Sequence, residues 1–399
     1  MVSDGAINSC ADSLHMPLSV MHVSRWSDVR AGGGVSSYLD VLKESLITIE
    51  HLDLQFDALL DSKESFEAYR SQRFRTGRQY KAIKACQLLF RLVLPKKKYD
   101  IIHIHGVTDI HFIICLLASL ISRKPLVCSP HGALSLPAID IARKSSVMNR
   151  IYFDFMVSPL LKGVRSFVVS SGLELDSVKR LSIAAKPYLV APAVKPASQF
   201  ATEVDDTLSS GGSSDSDYFI FIGRLEPIKS IPLMFNAISK LKAKGKEVGL
   251  YIVGEGESSY TIQLKNLCKL AGVEQQVSWL GFQAPDRVAG LLKRARCLIL
   301  PSQSENFGYV VAEAILHSCP VIASDQVGAA EIIEADGCGI VFKSEDENAL
   351  ASAIELLIND TVHGDMILAA EKSALRRFSL QEMAAGLKDV YYASVSSKR

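Results

Sequence analysis

A chain of 399 residues that is 48% hydrophobic and 22% charged has a globular profile with material for a large core, and its length argues for two domains. A formal net charge of +1 excludes a strong overall field, so any attraction to an anionic partner has to come from a local patch. The cysteines, at positions 10, 86, 115, 128, 268, 297, 319 and 338, form no CxxC pair and several sit in apolar runs; they argue against a disulfide framework or a thiolate metal site and read as reduced, buried thiols of a cytoplasmic protein.

Residues 1–17 lack a basic stretch followed by a long apolar core. They are expected to form a flexible extension rather than a secretory signal, with the first patterned strand beginning near Leu18. From there short apolar runs alternate with longer amphipathic segments. In the first half the strands read "LSVMHV", "DIIHIH", "PLVCS" and "SFVVS", with helical patterns over 35–46 and 108–122. The longest apolar stretch, 110–121, falls short of the ~20 residues that span a bilayer and suits a buried helix. Residues 67–98 hold Arg70, Arg73, Arg75, Arg78, Lys81, Lys84, Arg91, Lys96, Lys97 and Lys98 against one acid, Glu67, with apolar residues interleaved. Such a segment suits either an anionic membrane surface or a solvated helix face packed on its own sheet.

Residues 196–217 end in "TLSSGGSSDSD" and read as a linker. Asp215-Ser216-Asp217 matches a DxD metal–nucleotide motif, but it precedes a strand instead of ending one, and chance within a biased segment explains it better. The second half gives the strands "YFIFI", "VGLYIV", "QVSWL", "CLIL", "PVIA" and "GIVF". Strand–helix alternation with strands apolar on both faces predicts an α/β fold: two Rossmann-like domains, 18–195 and 218–375, whose parallel sheets face a central cleft. Ligands in such sheets sit beyond the carboxyl ends of the strands.

Four stretches at those ends carry candidate chemistry. In "RAGGGVSSYL" Gly33 and Gly34 open a helix after the first strand, which suits close approach to a phosphate and equally suits a tight turn. In "FIGRLEPIKSIPLMF" Arg224 and Lys229 follow a strand and precede a helix expected to start with Ser230 as its N-cap; together they suit a diphosphate, and either alone could be a solvated cation. In "PSQSENFGYVVAEAIL" Glu305 lies in a loop and Glu313 more than a turn into an apolar helix. An ionised Glu313 there needs donors, such as ribose hydroxyls or a basic partner. In "SPHGALS" His131 follows a strand of the first half, where it is either structural or placed to exchange protons near a reacting centre. His103 and His105 share a strand face without an acid nearby to complete a metal site, and His105 is expected at the cleft.

The chain as a whole resembles the retaining glycosyltransferases of family 4 with the GT-B fold, most strongly over 218–342. The E-x7-E element Glu305 to Glu313, "IGRLEPIKS" and "IVGEGE" carry the resemblance. It implies an acceptor-binding first domain and a second domain binding a nucleotide-diphosphate sugar, UDP- or GDP-linked, from which a hexose passes to a glycan or lipid-linked saccharide with its anomeric configuration retained. By the same resemblance Arg224 and Lys229 hold the diphosphate and stabilise the leaving group without a metal, so no cofactor is expected. Glu305 touches the sugar, beside the backbone of Asn306, Phe307, Gly308 and Tyr309; Glu313 takes the ribose. Gly33 and Gly34 approach the phosphates, His131 sits by the transferred sugar, and Gly281 and Phe282 lie near the base. The last segment, 376–399, is similar to a helix that crosses back to the first domain. Where the family often has Lys-Gly, this chain has Lys229-Ser230. The elements "HIHGV" and "SPHGALS" look like those of enzymes building cell-surface polysaccharide, implying a cytoplasmic enzyme, peripheral on the inner membrane face through 67–98, with no nucleic-acid partner. A nucleotide-sugar epimerase of the same fold and a non-catalytic sugar-binding protein are the alternatives.

Overall fold

The computed structural model of the chain describes residues 18–24, 34–47, 52–58, 77–94, 98–107, 110–135, 138–139, 158–181, 184–194 and 218–396. The expectations for residues 1–17, Cys10, Gly33, the part of the basic segment that holds Arg70, Arg73, Arg75, Lys96 and Lys97, the linker 196–217 and Asp215-Ser216-Asp217 lie outside them.

Two six-stranded sheets form the frame among the described residues. The first comprises β1 (Leu18–Ser24), β2 (Leu52–Ala58), β3 (Ile101–His105), β4 (Leu126–Ser129), β5 (Ser166–Val169) and β6 (Lys186–Leu189), in the order β2-β1-β3-β4-β5-β6. The second comprises β7 (Tyr218–Ile222), β8 (Gly249–Val253), β9 (Val277–Gly281), β10 (Cys297–Leu300), β11 (Val321–Ser324) and β12 (Gly339–Phe342), in the order β12-β11-β10-β7-β8-β9. Every pairing is parallel. The central strands β1, β3, β4, β5, β10 and β11 are buried along their whole length, which is why they read as unbroken apolar runs.

Strand order fixes where a ligand fits. In the second sheet the chain winds outward from β7 through β8 to β9, then returns to the other side of β7 with β10. Helices following β7 and β10 therefore leave on opposite faces, and a crevice opens between their carboxyl ends. In the first sheet the same reversal falls between β1 and β3.

Two strands escape the sequence reading, β2 and β6, and both are sheet edges. β2, "LDLQFDA", alternates apolar and polar residues; β6, "KPYL", contains Pro187. An edge strand needs neither apolar faces on both sides nor every backbone donor, so neither matches the continuous run that marks a central strand.

The final helix, Leu380–Ser396, completes the core of the first domain. Met383, Leu387, Val390 and Tyr391 are buried in one cluster with Tyr38, Leu39 and Leu42 of the helix Gly34–Ile47 and with Leu18, Val20 and Ile101 of the sheet. Of the free thiols, those at 115, 128, 268, 297, 319 and 338 are buried as expected, but Cys86 is exposed, because it lies on the outward face of the helix Gly77–Val93. Among the described residues no helix is long and apolar enough to cross a membrane.

Candidate active site

The loops after β7 and β10, on either side of the switch point in the second sheet, hold four of the expected residues. After β7 comes Arg224, then a short 3-10 turn, Pro227–Lys229, and the helix Ile231–Ala243. Ser230 occupies the cap position but does not cap. Its backbone is left-handed, φ +49° and ψ +37°, and its side chain makes no cap hydrogen bond. Capping needs an extended backbone at that position; the preceding turn, closed by the Ser230 N–H donating to Pro227 at 3.0 Å, delivers a left-handed one.

Arg224 is 75% exposed and pairs with Glu226 at 2.6 Å. Lys229 is 14% exposed and forms an ion pair with Glu305 from the β10 loop. The same two loops are also joined by the Gln303 N–H donating to Ile228 at 2.8 Å. The sequence reading assigned Lys229 and Glu305 separate partners along a donor; the structure brings the two side chains together.

Glu305 is held by its backbone, its N–H donating to Gln326 and its carbonyl accepting from Gly328, both at 3.0 Å. Gly308 precedes the helix Tyr309–Leu316 with φ +85°, a conformation in which a side chain is strained, and a Cβ there would also come within 3.0 Å of Val327. The N–H groups of Asn306, Phe307, Gly308 and Tyr309 find no acceptor among the described residues. The Asn306 Oδ1 and the Tyr309 hydroxyl are likewise buried without a partner. Phe307 is a core residue, packed edge-on to Phe378.

Glu313 sits among the buried Val311, Ala312, Ala314 and Ile315. Among the described residues its carboxylate makes no hydrogen bond or ion pair, so the basic partner that the sequence left open is not there. Burial pushes its pKa up to about 7.

The first domain faces these loops with His131 and Gly132. Both are left-handed, φ +51° and +84°, and a Cβ on Gly132 would meet Asn306 at 2.8 Å, so the two domains touch here. Asn306 Nδ2 donates to Ser170 Oγ across the same junction at 2.8 Å. The buried Glu174 pins the His131 loop: its carboxylate accepts from the Gly132 N–H at 2.6 Å and the Ser170 N–H at 3.0 Å. Burial raises the pKa of Glu174 against the opposing effect of those bonds. Tyr38 packs edge-on to His131 with ring centroids 4.8 Å apart. Sequence reasoning passed over Glu174, although Ser171 and Glu174 in "SGLE" form an S-x-x-E capping pattern, with the Glu174 N–H bonded to Ser171 Oγ.

His105 does not line the cleft as expected. It is buried, with Nδ1 3.1 Å from His131 Nε2 and Nε2 3.1 Å from His22 Nδ1. His22, His103 and His105 bring ligand atoms within 4.8 Å of one another, the spacing of a metal site. It is a third histidine, His22, that joins the strand pair, not an acid. Their nitrogens bond one another, Tyr391 and Ser129. Gly34 opens the first helix after β1, at the switch point of the first sheet. Gly281 ends β9 with φ +64°, followed by Phe282, which is 73% exposed. A cavity of about 470 Å³ lies beside Arg224, lined also by Glu226, Glu255, Glu257, Tyr260 and Gln263.

Known proteins share both the sequence and this frame. Residues 207–373 match the family described as glycosyl transferases group 1. An uncharacterised glycosyltransferase of Methanocaldococcus jannaschii is 27% identical over 307 residues, 75% of this chain and 76% of that protein. The D-inositol 3-phosphate glycosyltransferase of Rhodococcus opacus is 27% identical over 176 residues, a match that spans 43% of this chain and only 40% of the relative. In structure the chain is similar to Anabaena Alr3699/HepE, crystallised with UDP and glucose, at a TM-score of 0.72 and 19% identity over 94% of this chain and 100% of that one. The family match thus falls on the second domain, and over nearly its whole length the chain shares the GT-B fold of two facing parallel-sheet domains.

Proposed function

We propose that the chain is a retaining hexosyltransferase that uses a nucleotide-diphosphate sugar and delivers the hexose to a glycan or lipid-linked saccharide of the cell surface. One observation carries the reading. Lys229 and Glu305, from the loops after β7 and β10, meet across the switch point, and eight residues on the half-buried Glu313 has no hydrogen-bond or ion-pair partner among the described residues. In this reading Glu313 accepts the ribose hydroxyls and Glu305 both orients Lys229 and touches the sugar. Arg224, largely exposed and paired among the described residues with Glu226, swings onto the diphosphate with Lys229. The two cations meet the charge that develops on the leaving group, so the transfer step is assigned no divalent cation. The idle N–H groups of Asn306 to Tyr309 serve the same anion, as N–H groups at a helix start do. Gly33 and Gly34 close on the phosphates from the first domain, and Gly281 and Phe282 border the base. His131 lies on the opposite wall by the sugar, and the acceptor attacks from the leaving group's own face. UDP in the complex with Anabaena Alr3699/HepE supports a uridine donor.

A lipid-linked acceptor fits a second feature. Phe90 and Leu94, 64% and 62% exposed, lie at the end of the helix Gly77–Val93 and just after it, and this helix packs against the helix Ile110–Ser122, whose Leu117, Leu120 and Ile121 are also exposed. This supports peripheral docking on the inner face of an anionic membrane. Proton NMR of the glycosidic product tests the chemistry: an anomer of the same configuration as the donor is expected, and an inverted anomer would overturn the retaining mechanism. Donor incubated without acceptor should give slow hydrolysis; conversion to an epimeric nucleotide sugar would instead make the protein an epimerase.

A further inference from the structure

Behind His131 a line of buried rings runs through the first domain. Ser129 Oγ lies 2.8 Å from His103 Nε2, and His103 Nδ1 lies 2.8 Å from the Tyr391 hydroxyl. That hydroxyl lies 3.4 Å from His22 Nε2. His22 Nδ1 then reaches His105 Nε2, and His105 Nδ1 reaches His131 Nε2, each at 3.1 Å. Each of His103, His22 and His105 spends both ring nitrogens on the line. His131 spends only Nε2, which leaves Nδ1 as its nitrogen for the cleft. Stacking accompanies the bonds, with His103–His105 at 4.4 Å and His105–His131 at 5.4 Å between centroids.

Chemistry restricts how protons can sit along this line. A neutral imidazole has one N–H and one lone pair, so a ring that accepts at one nitrogen must donate at the other. Burial keeps all four rings neutral near pH 7, with His22 lowered to about 3, His131 to about 4, and His103 and His105 well below their usual range. Three arrangements satisfy every link. In the first, each bond donates toward His131, whose Nε2 accepts and whose Nδ1 carries the proton. In the second, each bond is reversed and Nδ1 offers a lone pair. In the third, the Tyr391 hydroxyl accepts from both His103 and His22, and the bonds from His22 to His131 run as in the second. Within the run His22–His105–His131 no link can reverse alone without leaving two protons or two lone pairs face to face, a costly defect in a dry interior.

We propose that His22, His103, His105 and Tyr391 are positioning residues that tie the tautomer of His131 to the direction of donation along the line, and that the final helix takes part in this through Tyr391. Tyr391 comes from the helix Leu380–Ser396, which follows the second domain in sequence but is seated in the core of the first. The cleft histidine is thus set by a residue at the far end of the chain. The line starts at Ser129 and ends two residues on at His131, so the β4 exit is braced from both sides. The kinetic consequence rests on the proposed place of His131 beside the transferred sugar; the tautomer itself does not.

Tyr391→Phe cuts the line in the middle while keeping the ring. Long-range proton–nitrogen NMR correlations on the imidazoles read the tautomer directly. In the unsubstituted protein His22, His105 and His131 should report one common direction of donation. In Tyr391→Phe the His131 shifts should move, because His22 loses the hydroxyl that meets its Nε2, and kcat should fall about ten-fold or more with KM held within about two-fold. Ser129→Ala, which removes the far end of the line, provides the same test if the first variant folds poorly. Ser394→Ala is the control: it removes a buried 2.8 Å bond from the same helix to Ser166 outside the line, and should lower Tm without moving the His131 shifts. Unchanged His131 shifts in both Tyr391→Phe and Ser129→Ala would overturn the proposal. Moved shifts with unchanged kcat would uphold the line and remove His131 from the transfer instead.

Discussion

Glu313 is where the account exposes itself most to measurement. A half-buried carboxylate in apolar surroundings, without a partner among the described residues, costs the folded protein whenever it is ionised. Its pKa stands at about 7 in the fold against an ordinary 4.5. At ~1.4 kcal/mol per pH unit, the difference puts the cost at roughly 3 kcal/mol once the pH is above 7. The sign follows from proton binding. Between 4.5 and about 7 the folded state holds the proton more tightly than the unfolded one, so stability is fully present below that window and is lost as the pH rises through it. Glu313→Gln keeps the shape and cannot ionise. It should be more stable than the parent by about 2–3 kcal/mol at pH 8 in urea denaturation, with the gap shrinking to within about 1 kcal/mol at pH 5. The same variant should bind a nucleoside diphosphate about ten-fold more weakly or worse, because a neutral amide is a poorer acceptor for two hydroxyls. A variant no more stable than the parent at pH 8, or a gap that does not narrow toward pH 5, would refute the reasoning.

Ser230→Gly should stabilise the protein by about 0.5–1 kcal/mol in urea denaturation, since a left-handed backbone suits glycine and the serine makes no cap bond to lose. Gly328→Ala and Gly172→Ala separate rigid from yielding contacts at the domain junction. A Cβ on Gly328 would lie 1.8 Å from the Asn306 backbone oxygen and 2.7 Å from Ser171, so the loops must part; a Cβ on Gly172 meets only the mobile end of Glu331. The first should widen the molecule in X-ray scattering and cut turnover at least about ten-fold, and the second should do neither. Vesicle co-sedimentation should rise with anionic lipid and fall when Lys96, Lys97 and Lys98 are reversed in charge; indifference to both would remove the membrane from the account.

How much was legible in the sequence depended on burial. The interior strands β7, β10 and β11 of the second sheet showed as apolar runs because a parallel strand covered on both faces has little other composition open to it. The half-buried edges β9 and β12 showed because they stay apolar, whereas the edges β2 and β6 carry alternating polar residues or a proline and did not show. Arg224, Lys229, Glu305 and Glu313 stood out as charges at strand ends or inside apolar runs, but the Lys229–Glu305 pair spans 76 residues of sequence and needed the strand order to bring its halves together. The left-handed turn at Ser230 was hidden because it is set by the geometry of the 3-10 turn before it. His22 carried the same signal as Glu313, a polar side chain inside an apolar strand. Its partner Tyr391 lies 369 residues away, and nothing local in sequence joins them.

The central claim is that Arg224, Lys229 and Glu313 together hold a nucleotide-diphosphate sugar. Isothermal titration of UDP-, GDP- and ADP-sugars into the parent protein, Arg224→Ala, Lys229→Ala and Glu313→Ala tests it most directly. The account predicts that the parent binds at least one donor and that each substitution weakens that donor about 10- to 100-fold, the range of a lost charge-assisted hydrogen bond. A parent that binds none of them, or three variants that bind as tightly as the parent, would contradict it.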